Sequence, residues 1–364
     1  MKDNLIVIAT ENNSSALVLQ GYLESNGIEC FLKNVNLVQP NVSEGVRVLI
    51  RESDAERAIQ LLSHVSAPLK GEPSPRKILV PVDFSDPSRN AAILALKLAH
   101  RYSAELKLLH VFNSPMVDLV PFTDAASIQI DVDVNHQIFH RNAKEKLIKL
   151  HKEVVKYAAD YGMAKVRIGY SLREGFAGYG IIDMCRRYKP GIVVMGTKSE
   201  GFRSTELVGS VAAEVVKETK VPLLVIPEDA NLTEIDNLKR VLYVTSLDDK
   251  DYMSIRKLAS IVSGINTRIT CAHVSDDSEN LIARAKMDNL KKYLEKVSKK
   301  IKIDCDLIKA KSSVDGLKAY IKEHNIDLVA LTMHKRNLLE RIFNPSLTRR
   351  MLSKAKVPLL IFPD

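Results

Sequence analysis

The sequence predicts an α/β protein built from two tandem doubly wound parallel-sheet domains behind a small α+β module. Three observations carry that prediction. An internal repeat shows near the ends of two stretches, where Lys220-Val-Pro-Leu-Leu-Val-Ile-Pro227 returns as Lys356-Val-Pro-Leu-Leu-Ile-Phe-Pro363. Within each copy, short β-branched runs alternate with amphipathic helical segments, the pattern of a parallel sheet covered on both faces. Finally, the breaker-rich run from Ser66 to Pro75 and the polar run from Pro227 to Asn237 read as linkers. The expected units are therefore residues 1–66, 75–229 and 237–364, which suits 364 residues at about 100–200 per domain.

The N-terminal unit reads as strand Leu5 to Ala9, helix Ser14 to Ser25, strands Glu29 to Lys33 and Val46 to Ile50, and helix Ser53 to Leu62. At about 65 residues it buries only a modest core, so docking against the rest of the chain would help it. In the first copy, Ile78 to Val82 is a strand, and Asp86-Pro87 supplies an N-cap and a first helical residue. Ala91, Leu94, Ala95, Leu98 and Tyr102 then recur at helical spacing. Strand Leu106 to Phe112, a basic helix over 141–160, strand Val166 to Tyr170, helix Ile181 to Tyr188 and strand Ile192 to Met195 follow. Helix Val211 to Thr219 and strand Val221 to Ile226 complete the copy, and the same order recurs over 239–364. Lys77 to Val82 aligns with Arg240 to Thr245, and Leu109-His110-Val111 with Ala272-His273-Val274, both 163 positions on, whereas the terminal strands lie 136 apart. The first copy thus carries 27 extra residues, placed near Asn113 to His140.

Composition removes several classes. The chain is 46% hydrophobic and 27% charged, and its apolar runs, such as Ile192 to Met195 and Val221 to Ile226, fall far short of the roughly 20 residues of a membrane span. The start Met1-Lys2-Asp3-Asn4 precedes only a short apolar run, so no export signal is expected and the cytoplasm is the expected location. Cys30, Cys185, Cys271 and Cys305 are scattered without a C-x-x-C, which argues against a zinc site or a redox pair and fits a reducing compartment. The net charge of +9 raises the question of an anionic partner, nucleic acid included. Its excess sits in residues 238–364, with 25 basic against 15 acidic residues, much of it around Lys286 to Lys300. No aromatic platform or nucleic-acid motif accompanies it, so a solvated helix face is the favoured reading.

The residues with chemistry lie in the first copy. Asp83 ends the first strand, Val111 the second, and Gly196 follows Met195 at the end of another. Ligands of doubly wound sheets bind outside the carboxyl ends of the strands, so these positions converge on one crevice. From Gly196 the chain runs to Gly209-Ser210-Val211, where a helix begins. Glycine there lets backbone approach a ligand, and a helix N-terminus offers unpaired N–H groups to phosphate. The Asp83 carboxylate suits the other end of a nucleotide, accepting hydrogen bonds from ribose or base. The plainer reading makes Gly196 and Gly209 a strand end and a helix start, with Asp83 a cap. The second copy lacks the set, since Ser246 stands for Asp83, Thr332 for Gly196, and Pro345-Ser346 for Gly209-Ser210.

Other signals are weaker. Gly175-x-x-Gly178-x-Gly180 precedes a helix, but its order is the reverse of the dinucleotide fingerprint. His136 and His140 are four apart without an H-E-x-x-H, in a segment expected to be loop. His110 and His273 read as structural, and Cys185 as core. Neither a serine-hydrolase elbow nor a P-loop is present.

Over residues 75–364 these features resemble the universal stress protein family, in which an Asp at the first strand's end and a G-x2-G-x9-G-[S/T] pattern go with ATP binding. Here the pattern reads Gly196-x2-Ser199-x9-Gly209-Ser210, spacing kept and the second glycine replaced. Ser199 either crowds the phosphates or replaces a backbone contact with its hydroxyl. The resemblance implies a Rossmann-like, adenine nucleotide alpha hydrolase-like fold. It also implies ATP, with or without Mg, held by Pro81, Val82, Asp83 and Val111 around adenine and ribose, and by Met195, Gly196, Ser199, Gly209, Ser210 and Val211 toward the phosphates. That family commonly dimerises through its last strand, so a pseudo-dimer within one chain is expected, with further pairing of whole chains left open. Gly21-Tyr-Leu-Glu-Ser-Asn-Gly-Ile28, Gly45-Val-Arg-Val-Leu-Ile50 and Asp54-Ala-Glu-Arg-Ala58 resemble a small family of signal-transducing modules and imply a ferredoxin-like α+β fold. The implied function is a cytosolic stress-response protein binding an adenine nucleotide in its first domain and acting as a signalling adaptor toward unknown protein partners. No general base stands beside the phosphates, so an enzyme is not expected beyond slow hydrolysis. A nucleotide-free interaction scaffold is the alternative, and nucleic-acid binding through the basic C-terminal domain comes third.

Overall fold

The computed structural model describes residues 5–11, 13–34, 46–55, 57–58, 61, 75–113, 125–197, 210–228, 230, 235–247, 249–275, 283–284, 286–288, 290–291, 294, 302–333 and 357–363. In the N-terminal unit, β1 (Leu5–Glu11), α1 (Asn13–Ser25), β2 (Cys30–Asn34) and β3 (Val46–Arg51) form an antiparallel sheet of order β1-β3-β2 with α1 on one face. The helix stops at Gly27, whose φ of +76° lets Gly27 N–H reach the Glu24 carbonyl and Ile28 N–H the Leu23 carbonyl. That turn drives Ile28 against Leu23 in a core that includes Ala16, Val48 and Ile50.

The two repeats share one sheet. The first contributes β4 (Lys77–Pro81), α2 (Asp86–Tyr102), β5 (Glu105–Phe112), α3 (Ala125–Asp160), β6 (Ile168–Glu174), α4 (Ala177–Tyr188), β7 (Ile192–Thr197), α5 (Ser210–Glu218) and β8 (Leu223–Pro227). The second contributes β9 (Arg240–Val244), α6 (Asp249–Ile261), β10 (Arg268–Ser275), helical residues between 283 and 294, β11 (Lys302–Lys309), α7 (Ser313–Glu323), β12 (Leu328–Met333) and β13 (Leu359–Pro363). The order is β11-β10-β9-β12-β13-β8-β7-β4-β5-β6, parallel within each half. Side chains alternate between faces along each strand. Ile78 and Val80 of β4 join one apolar layer with α2, α3 and α6, and Leu79 joins the other with α4, α5 and α7.

The halves meet where β8 runs antiparallel to β13, with Leu224 opposite Leu360 and, on either side, Val225 opposite Leu359 and Leu223 opposite Ile361. Leu224 and Leu360 are the same position of the repeat, so the pairing is centred on a local two-fold axis. A small apolar cavity beside the axis is lined by the repeat-related pairs Leu98 and Ile261, Ile192 and Leu328, and Leu224 and Leu360. Polar contacts flank it. The Arg101 guanidinium reaches Asp236 at 2.5 Å and the Gly264 carbonyl, and the Tyr102 hydroxyl donates to the Ile261 carbonyl. Burial pushes the Tyr102 phenol up to about 12.

The structure departs from the expected boundaries in several places; α4 starts at Ala177 ahead of the expected Ile181 and β8 at Leu223 after the expected Val221, and three further differences bear on packing. Helix α3 begins at Ala125, so His136 and His140 are helical where a loop was expected. Its C-terminal half is anchored by Leu147, Leu150, Val154 and Ala158 at helical spacing, and the helix propagates upstream from that anchor through weakly periodic sequence. Strand β6 covers Ile168–Glu174 instead of ending at Tyr170; as an edge strand it is half-exposed and lacks clear alternation. The N-cap of α2 is Ser85, which puts Asp86 inside the first turn. Among the described residues, no helix is long and apolar enough to cross a membrane.

Leu360→Ala and its repeat mate Leu224→Ala should destabilise the protein to a similar degree, by about 2–5 kcal/mol each, because both open the cavity at the two-fold seam. Urea denaturation checks this as a fall in midpoint at unchanged slope.

Candidate functional site

In the first half, the strand order reverses between β4 and β7. The helix leaving β4, α2, lies on one face and the helix leaving β7, α5, on the other, which opens a crevice at the carboxyl ends of these strands. Pro81 ends β4 and Val82 and Asp83 follow it, Val111 is next to last in β5, Met195 and Gly196 lie near the end of β7, and Val211 is in the first turn of α5. All seven therefore gather at one end of the half-sheet. The backbone of Ser210 opens α5. Ser199 and Gly209 lie outside the described residues, as does the Pro345-Ser346 pair of the second copy.

The floor of the crevice is set by a close approach. A Cβ on Gly196 would stand 2.1 Å from the Pro87 carbonyl oxygen and 2.7 Å from the Ser88 nitrogen, so the first turn of α2 rests directly on this glycine. Packing alone thus requires glycine at 196. The glycines of the reversed fingerprint have separate causes: a Cβ on Gly180 would meet the Val111 side chain of β5 at 2.7 Å, Gly178 faces the Glu214 side chain of α5, and Gly175 turns with φ of +120°. Gly180 lets α4 lie close on β5.

Asp83 is exposed, and its Oδ1 accepts from the Ser85 N–H at 3.0 Å and from the Ser85 hydroxyl. Phe84 between them turns with φ of +68°. Burial pulls the Asp83 carboxyl up, but the hydrogen bonds from Ser85 and Ser88 outweigh it and hold the group below its ordinary value. Asp83 is therefore an ionised carboxylate at neutral pH that both braces the turn into α2 and faces solvent at the crevice. His110 secures the same turn: its Nδ1–H donates to the Val82 carbonyl at 2.7 Å, and its ring lies 4.2 Å from that of Phe84. Burial pulls the His110 pKa down, which keeps the imidazole neutral. His273 repeats the bond to the Thr245 carbonyl at 2.9 Å. At the rim, His136 meets Glu174 at 2.9 Å and His140 stands edge-on to Phe112 at 5.6 Å, so α3 covers the ends of β5 and β6.

The second copy keeps the turn, with Leu247 at φ of +59° in place of Phe84, but its crevice floor is rebuilt. Buried Asp251 accepts from the Tyr243 hydroxyl at 2.7 Å, the Thr245 hydroxyl at 2.6 Å and the Ser246 N–H at 2.9 Å. The Tyr243 hydroxyl also lies 2.6 Å from the Thr332 hydroxyl. These four side chains occupy the positions of Ser88, Val80, Val82 and Gly196. The space that Gly196 leaves to α2 is thus taken by Thr332, tied into a buried network. Burial and the Asp251 charge push the Tyr243 phenol well up. Sequence reasoning missed this network; its signal was that Val80, Val82, Ser88 and Gly196 are replaced together by polar or larger polar groups.

Fold and crevice define a tandem, doubly wound α/β protein whose copies differ at the switch point, with Gly196 beneath α2 in the first and Thr332 tied into a buried network in the second. Comparison with known proteins makes this specific. The sequence profile of the universal stress protein family matches residues 75–227 and 237–363, and residues 5–66 match domain of unknown function 2007, described as a prokaryotic signal-transducing protein. A universal stress protein of Methanocaldococcus jannaschii is 30% identical over 156 residues, 43% of this chain and 84% of that one. A universal stress protein structure from Archaeoglobus fulgidus superposes with a TM-score of 0.57 at 15% identity, covering 80% of this chain and 96% of that chain. One from Pseudomonas aeruginosa covers 82% and 95% at 11% identity and a TM-score of 0.46. The chain belongs to the universal stress protein family, with two family domains in tandem.

Two substitutions test the contrast between the crevices. Gly196→Ala should cost about 1–3 kcal/mol in nucleotide-free protein, because its Cβ meets main-chain atoms of α2. Asp251→Ala strands the Thr245 hydroxyl and the Ser246 N–H at about 1–3 kcal/mol per group, so it should be the more damaging of the two. Thermal melts without ligand check both.

Proposed function

We propose that this protein binds one adenine nucleotide per chain, ATP, in the crevice between β4 and β7, and serves as a cytoplasmic stress-response adaptor. The single observation behind this reading is the contrast between the copies. The first copy keeps a glycine under α2 and an exposed, ionised carboxylate at the topological switch point, and its repeat has replaced both, the glycine by Thr332 in a buried network and Asp83 by Ser246. In the proposed complex, Asp83 accepts hydrogen bonds from ribose hydroxyls. Val82 and Val111 offer apolar surface to the base, with Pro81 and Met195 behind them. The first turn of α5, at Ser210 and Val211, presents unpaired N–H groups and the positive end of the helix dipole to the phosphates. Gly209 and Ser199 belong to this phosphate side by the family pattern. A divalent cation would enter with the triphosphate, held largely by phosphate oxygens and water.

The adaptor role is the reading that the family membership supports, and His110 donates through Nδ1 to the Val82 carbonyl and so holds the turn into α2. The N-terminal module is placed to communicate with the filled copy, since α1 lies against α6. A second reading, a nucleotide-free scaffold, is favoured by Ser199 and by the structural duties that already occupy Asp83 and Gly196.

Calorimetric titration with Mg-ATP separates the two. The nucleotide reading expects a stoichiometry near one, and at least about tenfold weaker binding for Asp83→Ala, equivalent to about 1.4 kcal/mol. No heat with the wild-type protein would leave the scaffold.

A further inference from the structure

The filled copy carries a second chemical feature. Strands β10 and β11 run parallel with Cys271 directly opposite Cys305. Residues in register on neighbouring strands point to the same face about 4.8 Å apart, inside the Cα separation of about 4.4–6.8 Å that a disulfide spans. The two thiols are close enough to shift each other's titration, Cys271 upward and Cys305 downward. The corresponding register position of the first copy pairs Leu108 with Tyr170, so the cysteines are peculiar to the second. The sequence spacing argued against a redox pair; the sheet register brings together two thiols that 33 intervening residues separate in the chain.

We propose that Cys271 and Cys305 form a redox-sensing dithiol, oxidised by hydroperoxides to a reversible disulfide that ties edge strand β11 to β10. The two sulfurs are unequal in the way such a pair needs. Cys271 is fully buried in the apolar layer, and Cys305 is half-buried on the edge strand, open to a small oxidant. The neighbouring Cys271 thiol and the charge of Lys291 hold the Cys305 thiol below its ordinary value, against burial and the nearby Asp304 and Asp306. The neighbouring Cys305 thiol and burial push the Cys271 thiol up. Cys305 is therefore the attacking thiolate and Cys271 the resolving thiol. In the first step, the Cys305 sulfur attacks a peroxide oxygen. The O–O bond breaks, an S–O bond forms, and the departing hydroxide takes a proton and leaves as water, so Cys305 becomes a sulfenic acid while the peroxide is reduced. In the second, the Cys271 sulfur attacks that of Cys305. The S–O bond breaks, the Cys271 proton leaves with the hydroxyl as a second water, and the disulfide forms. Cys30 and Cys185 are internal controls, buried thiols whose pKa burial pushes up to about 11 and about 12.

The test treats the reduced full-length protein with hydrogen peroxide, alkylates the remaining thiols and maps peptides without reductant. The expected result is a cross-link between the Cys271 and Cys305 peptides, lighter by two hydrogen atoms than the separate peptides and reversed by dithiothreitol. Thiol at 305 should disappear at least about tenfold faster than thiol at 30 or 185. Cys305→Ser should lose the cross-link, and Cys271→Ala should leave a sulfenic acid at 305 that dimedone traps. Cys305 that stays alkylatable, that proceeds to sulfinic acid without a cross-link, or that pairs with another cysteine would overturn the proposal. Should the buried Cys271→Ala chain fail to fold, the wild-type map and Cys305→Ser decide the matter.

Discussion

The main-chain hydrogen bonds between β8 and β13 make two domains one object. Centred on Leu224 and Leu360, they close the exposed edge that each half would otherwise present to solvent, and they join ten strands into one sheet. The antiparallel sense of this one pairing also decides where ligands can go. All strands of the first half run opposite to those of the second, so the two crevices open at opposite ends of the sheet and share no ligand. The packing of one crevice therefore does not constrain that of the other, while the seam, the cavity beside it and the Arg101 and Tyr102 contacts hold the halves together.

That independence explains how one frame holds two outcomes. In the first copy, glycine at 196 lets α2 settle against the end of β7. In the second, Thr332 and Tyr243 fill the equivalent space, and Asp251 is paid for with three hydrogen bonds from its neighbours. A buried carboxylate is costly unless it is so satisfied, and a satisfied network of this kind makes a rigid core. The second copy also carries the chain's net positive excess and the Cys271–Cys305 pair, so chemistry it would bring to the protein differs from that of its partner.

Much of the frame was legible in the sequence. Repeated Val-Pro-Leu-Leu strands, β-branched runs bounded by breakers, and helical stripes such as Ala91, Leu94, Ala95 and Leu98 are burial patterns, and burial is what sequence periodicity reports. Elements with little burial were harder: β6 is an edge strand, and the start of α3 depends on propagation from its packed half. At the site, the positions of Asp83, Val111, Gly196 and Val211 at strand and helix ends followed from the doubly wound pattern. The duties of those residues did not. That Gly196 bears the first turn of α2 is a close contact between segments whose distance no spacing encodes, whereas the brace from Ser85 to Asp83 is a local turn contact between residues two apart. The Tyr243–Asp251 network read as a loss of motif because substitution is visible in sequence and replacement packing is not. The cysteine pair was hidden because strand register is set by the whole sheet.

The central claim is that one crevice of the pair is open to an adenine nucleotide and the other is closed by its own side chains. Photolabelling with an 8-azido adenine nucleotide, followed by peptide mapping, addresses it directly. The account predicts label confined to peptides between residues 75 and 227, competed away by unmodified ATP. Label in peptides between residues 237 and 363, or competable label shared equally between the two copies, would contradict it.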